Sequence, residues 1–286
     1  MAVLNHKLRR ELQNNAGVLL TVVAIIAVGT GCFVAMGSAI RILEDSQQEY
    51  YRAYRFADFW IDVKKAPLTA LQPLRELDGV ALVEARIVFD VILDIPGENR
   101  PLTGRLISTP ADGLNRVLNG LCLVRGTSFS DDRDEEIILS EAFAKVHNLN
   151  PGDRIQMILN RKRESFTIVG TAISPEYVYM VRGAGDLVPD PRHFGILYVK
   201  QRYARDVLGF RDACNQFVGR VLPGQERHVE TILQRAARTL DPYGVLATTP
   251  RARQASHRFL SDEIAGGRIS STVIPAIFLA IAALVL

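Results

Sequence analysis

LQNNAGVLLTVVAIIAVGTGCFVAMGSAI, from Leu12 to Ile40, carries no charged residue over 29 positions. As a helix rising about 1.5 Å per residue it reaches about 43 Å, more than the roughly 30 Å of a bilayer core. Its most apolar part, Val18 to Met36, predicts a membrane-spanning helix over residues 16–40. Two other readings stay open. A buried soluble helix rarely runs so long without a charge. A cleaved secretory signal would use the basic Lys7, Arg9 and Arg10 and the small Gly37, Ser38 and Ala39, but its apolar region is usually only about 7–15 residues.

The second uncharged run is ISSTVIPAIFLAIAALVL, Ile269 to Leu286, with Pro275 inside it. At 18 residues it reaches the lower end of spanning length. It predicts the start of a second transmembrane helix over 269–286, cut short by truncation; a tail anchor is the alternative. Before the first run, Leu4, Leu8 and Leu12 alternate with Lys7, Arg9, Arg10 and Glu11. Residues 1–15 therefore read as an amphipathic entry segment on the cytoplasmic surface, and the basic flank puts the N-terminus inside. Within the first run, Ala27, Gly31, Ala35 and Ala39 recur every four residues, a small-residue face that lets another helix backbone approach closely.

Residues 41–268 then lie outside the cytoplasm and are long enough to bury a core. The whole chain of 286 residues is 48% hydrophobic, with net charge +3 and mean hydropathy +0.10. That excludes a disordered tail, and the charge is too mild to mark a nucleic-acid binder. Three cysteines exclude a multi-bridge scaffold. Cys122 and Cys214 are a possible pair in an oxidising compartment, while Cys32 sits in the first apolar run.

The pattern of the middle region is α+β. Strands are expected at Phe56–Lys64, over the long run Val80–Ile95, at Leu102–Ser108 beyond the turn Pro96–Asn99, and at Ile137–Leu139. Arg154–Leu159 and Ser165–Ile173 flank the turn Asn160–Arg163, and Gly195–Val199 and Gln216–Leu222 follow. Helices are expected at Pro67–Leu77, at Glu141–His147 with Ser140 as N-cap, and at Gln225–Leu240. Residues of about 100–200 are strand-rich, which suggests two lobes, the second inserted in the first. Gln254–Ile264 is expected to form a helical stalk before the second span, with Ala255, Phe259, Leu260 and Ile264 on one face.

No reaction is specified. There is no phosphate-binding loop, no dinucleotide fingerprint, no nucleophile elbow and no paired metal-ligand motif. His6, His147, His193, His228 and His257 are scattered. The acidic runs Asp131–Asp132 and Asp134–Glu136 read as solvated loop rather than cation site, and the Gly/Pro-rich GAGDLVPDPRHFG of 183–195 reads as a contact loop. No catalytic, cofactor or metal residue is assigned.

Five stretches carry a family likeness: YRFADFW (Tyr54–Trp60), EEIILSEAFAKVHNLNPGDRIQMILN (Glu135–Asn160), FTIVGTAISPEYVY (Phe166–Tyr179), SHRFLSDEI (Ser256–Ile264) and IPAIFLAIAALVL (Ile274–Leu286). With the order of spans and outside domain, they resemble an FtsX-like permease of the ABC transporter superfamily carrying a MacB-type periplasmic domain. The resemblance implies a non-catalytic, multi-pass subunit of the bacterial inner membrane that works with a separate cytoplasmic ATPase. It also implies a homodimer or pseudo-dimer of permease halves, contact with membrane lipid and with a periplasmic adaptor or substrate, and motion of the outside domain driven by ATP hydrolysis. A two-span sensor with an extracytoplasmic ligand-binding domain shares the layout. An anchored enzyme is disfavoured by the missing site.

Overall fold

The computed structural model describes residues 10, 15–95, 98, 100–110, 114, 117–183, 185, 186 and 188–285. Most of the entry segment and of the turn expected at Pro96–Asn99 lies outside these. The chain divides into two units, Met1–Glu49 with Leu260–Leu286, and Tyr50–Phe259.

The first unit is built from the long helices α1 (Ala16–Ala53) and α6 (Ala255–Val285). Both are long and apolar enough to cross a membrane. Each exceeds the expected span: α1 is 38 residues, about 57 Å, and α6 starts before Ile269 and stays helical through Gly266, Gly267 and Pro275. A Cβ on Gly29 would lie 3.2 Å from Phe278 Cβ, and one on Gly267 would collide with Ile40 Cδ1. Arg268 pairs with Glu44. These contacts run in opposite chain order, so the helices pack antiparallel. The covered positions recur every three or four residues, Val22, Ile25, Gly29, Cys32 and Met36 against Ile264, Gly267, Ser271, Pro275, Phe278 and Ala282, the spacing of a two-helix seam. Away from the seam, Leu20, Val23, Phe33, Val34, Ile269 and Ile277 are exposed.

The second unit is α+β and holds two sheets. The smaller is antiparallel, in the order β11 (Val245–Pro250), β1 (Phe59–Pro67), β10 (Ala213–Val221), β2 (Val80–Arg86). Alternation on β1 buries Phe59, Ile61 and Val63. They pack with Phe217 and with Ile232, Leu233, Ala236 and Leu240 of α5 (Val229–Leu240), the amphipathic helix that the sequence marks most clearly. The larger sheet has the order β5 (Cys122–Gly126), β8 (Lys162–Ile173), β6 (Glu136–Ser140), β9 (Phe194–Lys200), β4 (Leu102–Thr109), β3 (Val88–Asp94), β7 (Arg154–Leu159). Because β7 also bonds β8, six strands close on themselves and β5 hangs outside on β8. Leu93, Phe143, Ile155, Phe166 and Leu197 fill the interior.

All seven strands of the larger sheet lie between Val88 and Lys200. The single run expected over Val80–Ile95 is two strands in two different sheets. The break is at Ile87, whose N–H donates to Ser108 Oγ (2.8 Å) and whose carbonyl accepts from Ser108 N–H (2.9 Å). The helix expected at Pro67–Leu77 is a 3-10 turn, Leu68–Ala70, and the short α2 (Leu71–Arg75). The turn between β7 and β8 tightens to Asn160 and Arg161, both at positive φ (47° and 65°), the signature of a hairpin turn that follows sheet twist. Ser140 precedes α3 (Glu141–Val146) but does not cap it. Its hydroxyl accepts instead from Ile196 N–H (3.1 Å). Unexpected elements are β5, β11 and α4 (Gln201–Val207). Cys122 and Cys214 are free thiols in different sheets.

Candidate functional site

Between the two sheets lies a buried charge network. Arg86, the last residue of β2, is 8% exposed. Its Nη1 donates to Glu176 Oε2 (2.7 Å), Nη2 donates to Glu176 Oε1, and Nε donates to Gln216 Oε1 (2.5 Å). Gln216 Nε2 donates onward to Asp62 Oδ1 (2.5 Å). Asn119 Nδ2 donates to Glu176 Oε2 (2.9 Å), and Asn119 Oδ1 accepts from Ala57 N–H (2.7 Å). Arg86, Gln216 and Asp62 belong to the small sheet. Glu176 belongs to a 3-10 turn, Pro175–Tyr177, that follows β8 of the closed sheet, with Ser174 Oγ accepting from Glu176 N–H. Burial opposes the Arg86 charge, but the Glu176 carboxylate outweighs it and holds the guanidinium pKa above its ordinary value. Burial pushes the Asp62 carboxyl up, against the hydrogen bond from Gln216.

A second buried pair lies within the closed sheet. Lys200 is fully buried, with Nζ 3.0 Å from Glu136 Oε2 and bonded to the carbonyls of Ser130 and Arg133. Burial opposes the Glu136 charge, but hydrogen bonds from Ser130 and Lys200 hold its carboxyl below the usual range. The acidic run thus supplies one structural carboxylate, and Asp134 pairs with Arg202. Among the described residues no three His, Cys, Asp or Glu side chains gather to hold a metal.

The third feature is a collar within the second unit, between the end of α1 and the start of α6. Arg251 Nη2 pairs with Asp58 Oδ1 (2.5 Å) and donates to Phe56 O (2.7 Å), and Nε donates to Ala57 O (3.0 Å). The guanidinium lies 4.8 Å from the Phe56 ring centroid. Tyr51 Oη and His257 Nδ1 are 3.1 Å apart. The closed sheet joins in through Gly120 N–H to Tyr54 O (2.8 Å) and Tyr179 N–H to Ser256 Oγ (3.0 Å).

Of the stalk residues, Ala255 and Phe259 are half-buried in the second unit, where the Phe259 ring lies 6.2 Å from Tyr179. Leu260 and Ile264 fall in the helical unit, Ile264 buried. Ala27, Gly31, Ala35 and Ala39 are all exposed. They lie about a third of a turn round α1 from the seam, at roughly 100° per residue. The close backbone approach to α6 falls at Gly29 instead. Arg86, Glu176, Asn119 and Arg251 carry no local sequence signal, since their partners are far away in the chain.

No family model and no curated protein sequence matches this chain. Among solved structures it is similar to the periplasmic region of MacB from Actinobacillus actinomycetemcomitans, with TM-score 0.42 and 12% identity over 77% of this chain and 98% of that one. It is also similar to the extracellular domain of the ABC-type transporter YknZ from Gram-positive bacteria, with TM-score 0.42 and 15% identity over 68% of this chain and 98% of that one.

Proposed function

We propose that this chain is a membrane-spanning permease subunit of an ABC transporter. In this reading α1 and α6 cross the inner membrane, and the α+β unit stands outside the cytoplasm. A separate cytoplasmic ATPase drives the helices, and the outside unit passes the motion to an adaptor or substrate. The observation that carries the reading is the outward face of α1 and α6. In water those exposed apolar side chains would form a patch far larger than soluble monomers leave uncovered; in lipid they are at home. The seven-residue pattern of the seam supports a defined helix pair. The Arg86–Glu176 network and the Arg251 collar support a unit that moves as a body. The exposed Ala27, Gly31, Ala35 and Ala39 are the proposed contact for a second permease half or for further helices.

The two-span sensor shares the layout but needs no ATPase. Purification of the full chain from native membranes with its binding partners separates them. The permease reading expects a stoichiometric nucleotide-binding ATPase that hydrolyses ATP in the complex. A soluble signalling domain in place of any ATPase would favour the sensor.

A further inference from the structure

β11 is an edge of the small sheet, bonded to β1 on one side. Two bonds place its outer row. Arg251 N–H donates to Asp58 O (2.6 Å), and Lys64 N–H donates to Gly244 O (3.0 Å). Asp58, Trp60, Asp62 and Lys64 therefore face β11. In the register, Trp60 and Asp62 meet Thr249 and Ala247, while Thr248 stands opposite Ile61. Thr248 thus turns its N–H and C=O away from β1, since bonded and unbonded pairs alternate in an antiparallel ladder. Pro250 supplies no N–H at one end, and a bulge leaves Leu246 as an extra residue at the other. The free row is short and centred on Thr248. No charged residue guards Val245–Pro250, and Leu246 and Ala247 are exposed.

A cavity of about 190 Å³ lies at the same edge. Trp60 and Thr249 line it side by side, on the face turned away from α5, and the inner strands β10 and β2 do not reach it. Tyr177 and Arg182 line the opposite side, with Arg105 and Arg253 beside them. Its one carboxylate, Glu176, is already neutralised by Arg86. Arg105 pairs with Asp90 and Arg253 with Glu230. Among the described residues the Arg182 guanidinium has no carboxylate partner and lies over the Phe194 ring, so the surplus charge here is positive. The volume is below that of pockets for drug-sized ligands and suits a single side chain. We propose that β11 is a docking edge for an extended segment of a partner protein that carries an acidic residue. The segment adds a strand to the small sheet through Thr248. Its residue opposite Thr249 shares the Trp60 face and sends a carboxylate toward Arg182. The inference does not depend on the permease reading, because every residue it uses belongs to the α+β unit and its test needs no ATPase.

Trp60, the sole tryptophan, lines the cavity, so its emission reports occupancy. The full chain in detergent micelles is titrated with a short capped peptide of alternating threonine and valine around one central glutamate. Binding should be saturable. Replacing the glutamate by glutamine, or Arg182→Gln in the exposed guanidinium, should each weaken it about fivefold. N-methylation of the two residues flanking the glutamate, which meet Thr248 in either strand direction, should weaken it by at least as much. Thr248→Pro removes the outward N–H without touching the ladder to β1 and should do the same. A melting curve checks that each variant is folded; if Thr248→Pro is not, the N-methylated peptide decides on the unaltered chain. No saturable response, or unchanged affinity for the N-methylated peptide or in folded Thr248→Pro, overturns the docking edge. Equal binding of the glutamate and glutamine peptides overturns the acidic segment. Self-association of the chain that Thr248→Pro abolishes would give the edge to a second copy and overturn the partner segment.

Discussion

Arg86 and Glu176 stand 90 residues apart and join two sheets through a two-pronged ion pair. Removing one partner leaves a buried charge uncompensated, which costs about 3–5 kcal/mol. Arg86→Met and Glu176→Leu should each lower the unfolding free energy of the α+β unit by that order, read from its urea transition by Trp60 emission. The double variant should recover part of the loss, because it removes both desolvated charges at once; Gln216 Oε1 and Asn119 Nδ2 then still lack a partner. Single variants costing less than about 1 kcal/mol would show that the pair behaves like a surface bridge. None of this is legible locally. Arg86 ends an apolar run that reads as one strand, and Glu176 sits in a Ser-Pro-Glu-Tyr stretch whose turn is plain and whose partner is not. A helix seam is equally hard to place from spacing alone. Small residues at intervals of four mark one face of α1, but the face that α6 covers holds Gly29, flanked by larger side chains that repeat at three and four.

Among elements, the legible ones are those whose cause is local. The hairpin β7–β8 follows from two alternating strands and a polar turn, and α5 follows from apolar residues on one face. β11 is missed because Val-Leu-Ala-Thr-Thr-Pro alternates weakly and is a strand only through its pairing with β1, nearly the whole unit away in sequence. β5 is missed for the same reason, as an outer strand held by β8 alone. α6 is the element with a mechanical prediction. It is unbroken across Gly266 and Gly267, where paired glycines often hinge a helix. Its first turn is tied down by Ser256 to Tyr179 N–H and by Phe259 beside the Tyr179 ring. In the proposed permease, a flexible Gly/Ser segment inserted after Asp262 should leave ATP hydrolysis intact and abolish the work done outside, because a helix transmits displacement and a coil absorbs it. Unchanged transport with the insertion in place would remove α6 from the relay.

For the whole molecule the deciding question is which side of a membrane the α+β unit occupies. The basic N-terminal flank predicts that Asn5 is cytoplasmic and that Asp131, exposed on the loop before β6, is outside. Single cysteines at these positions, labelled in intact cells with a membrane-impermeant maleimide, test this directly. The native thiols set the background. Burial pushes the Cys214 thiol up to about 12, so little thiolate is present near neutral pH and it should react slowly. Cys32 lies on the seam of the helix pair. Cys122 is half-buried on the outermost strand of the closed sheet and is best changed to serine beforehand. With that background removed, Asp131→Cys should label at once in intact cells, and Asn5→Cys only after the membrane is permeabilised. Labelling of Asn5→Cys from outside would invert the topology. The α+β unit would then lie on the cytoplasmic side, and the permease reading would fail with the orientation. Labelling of both positions in intact cells would instead mean that α1 does not span, and that its exposed apolar face is covered by protein rather than lipid.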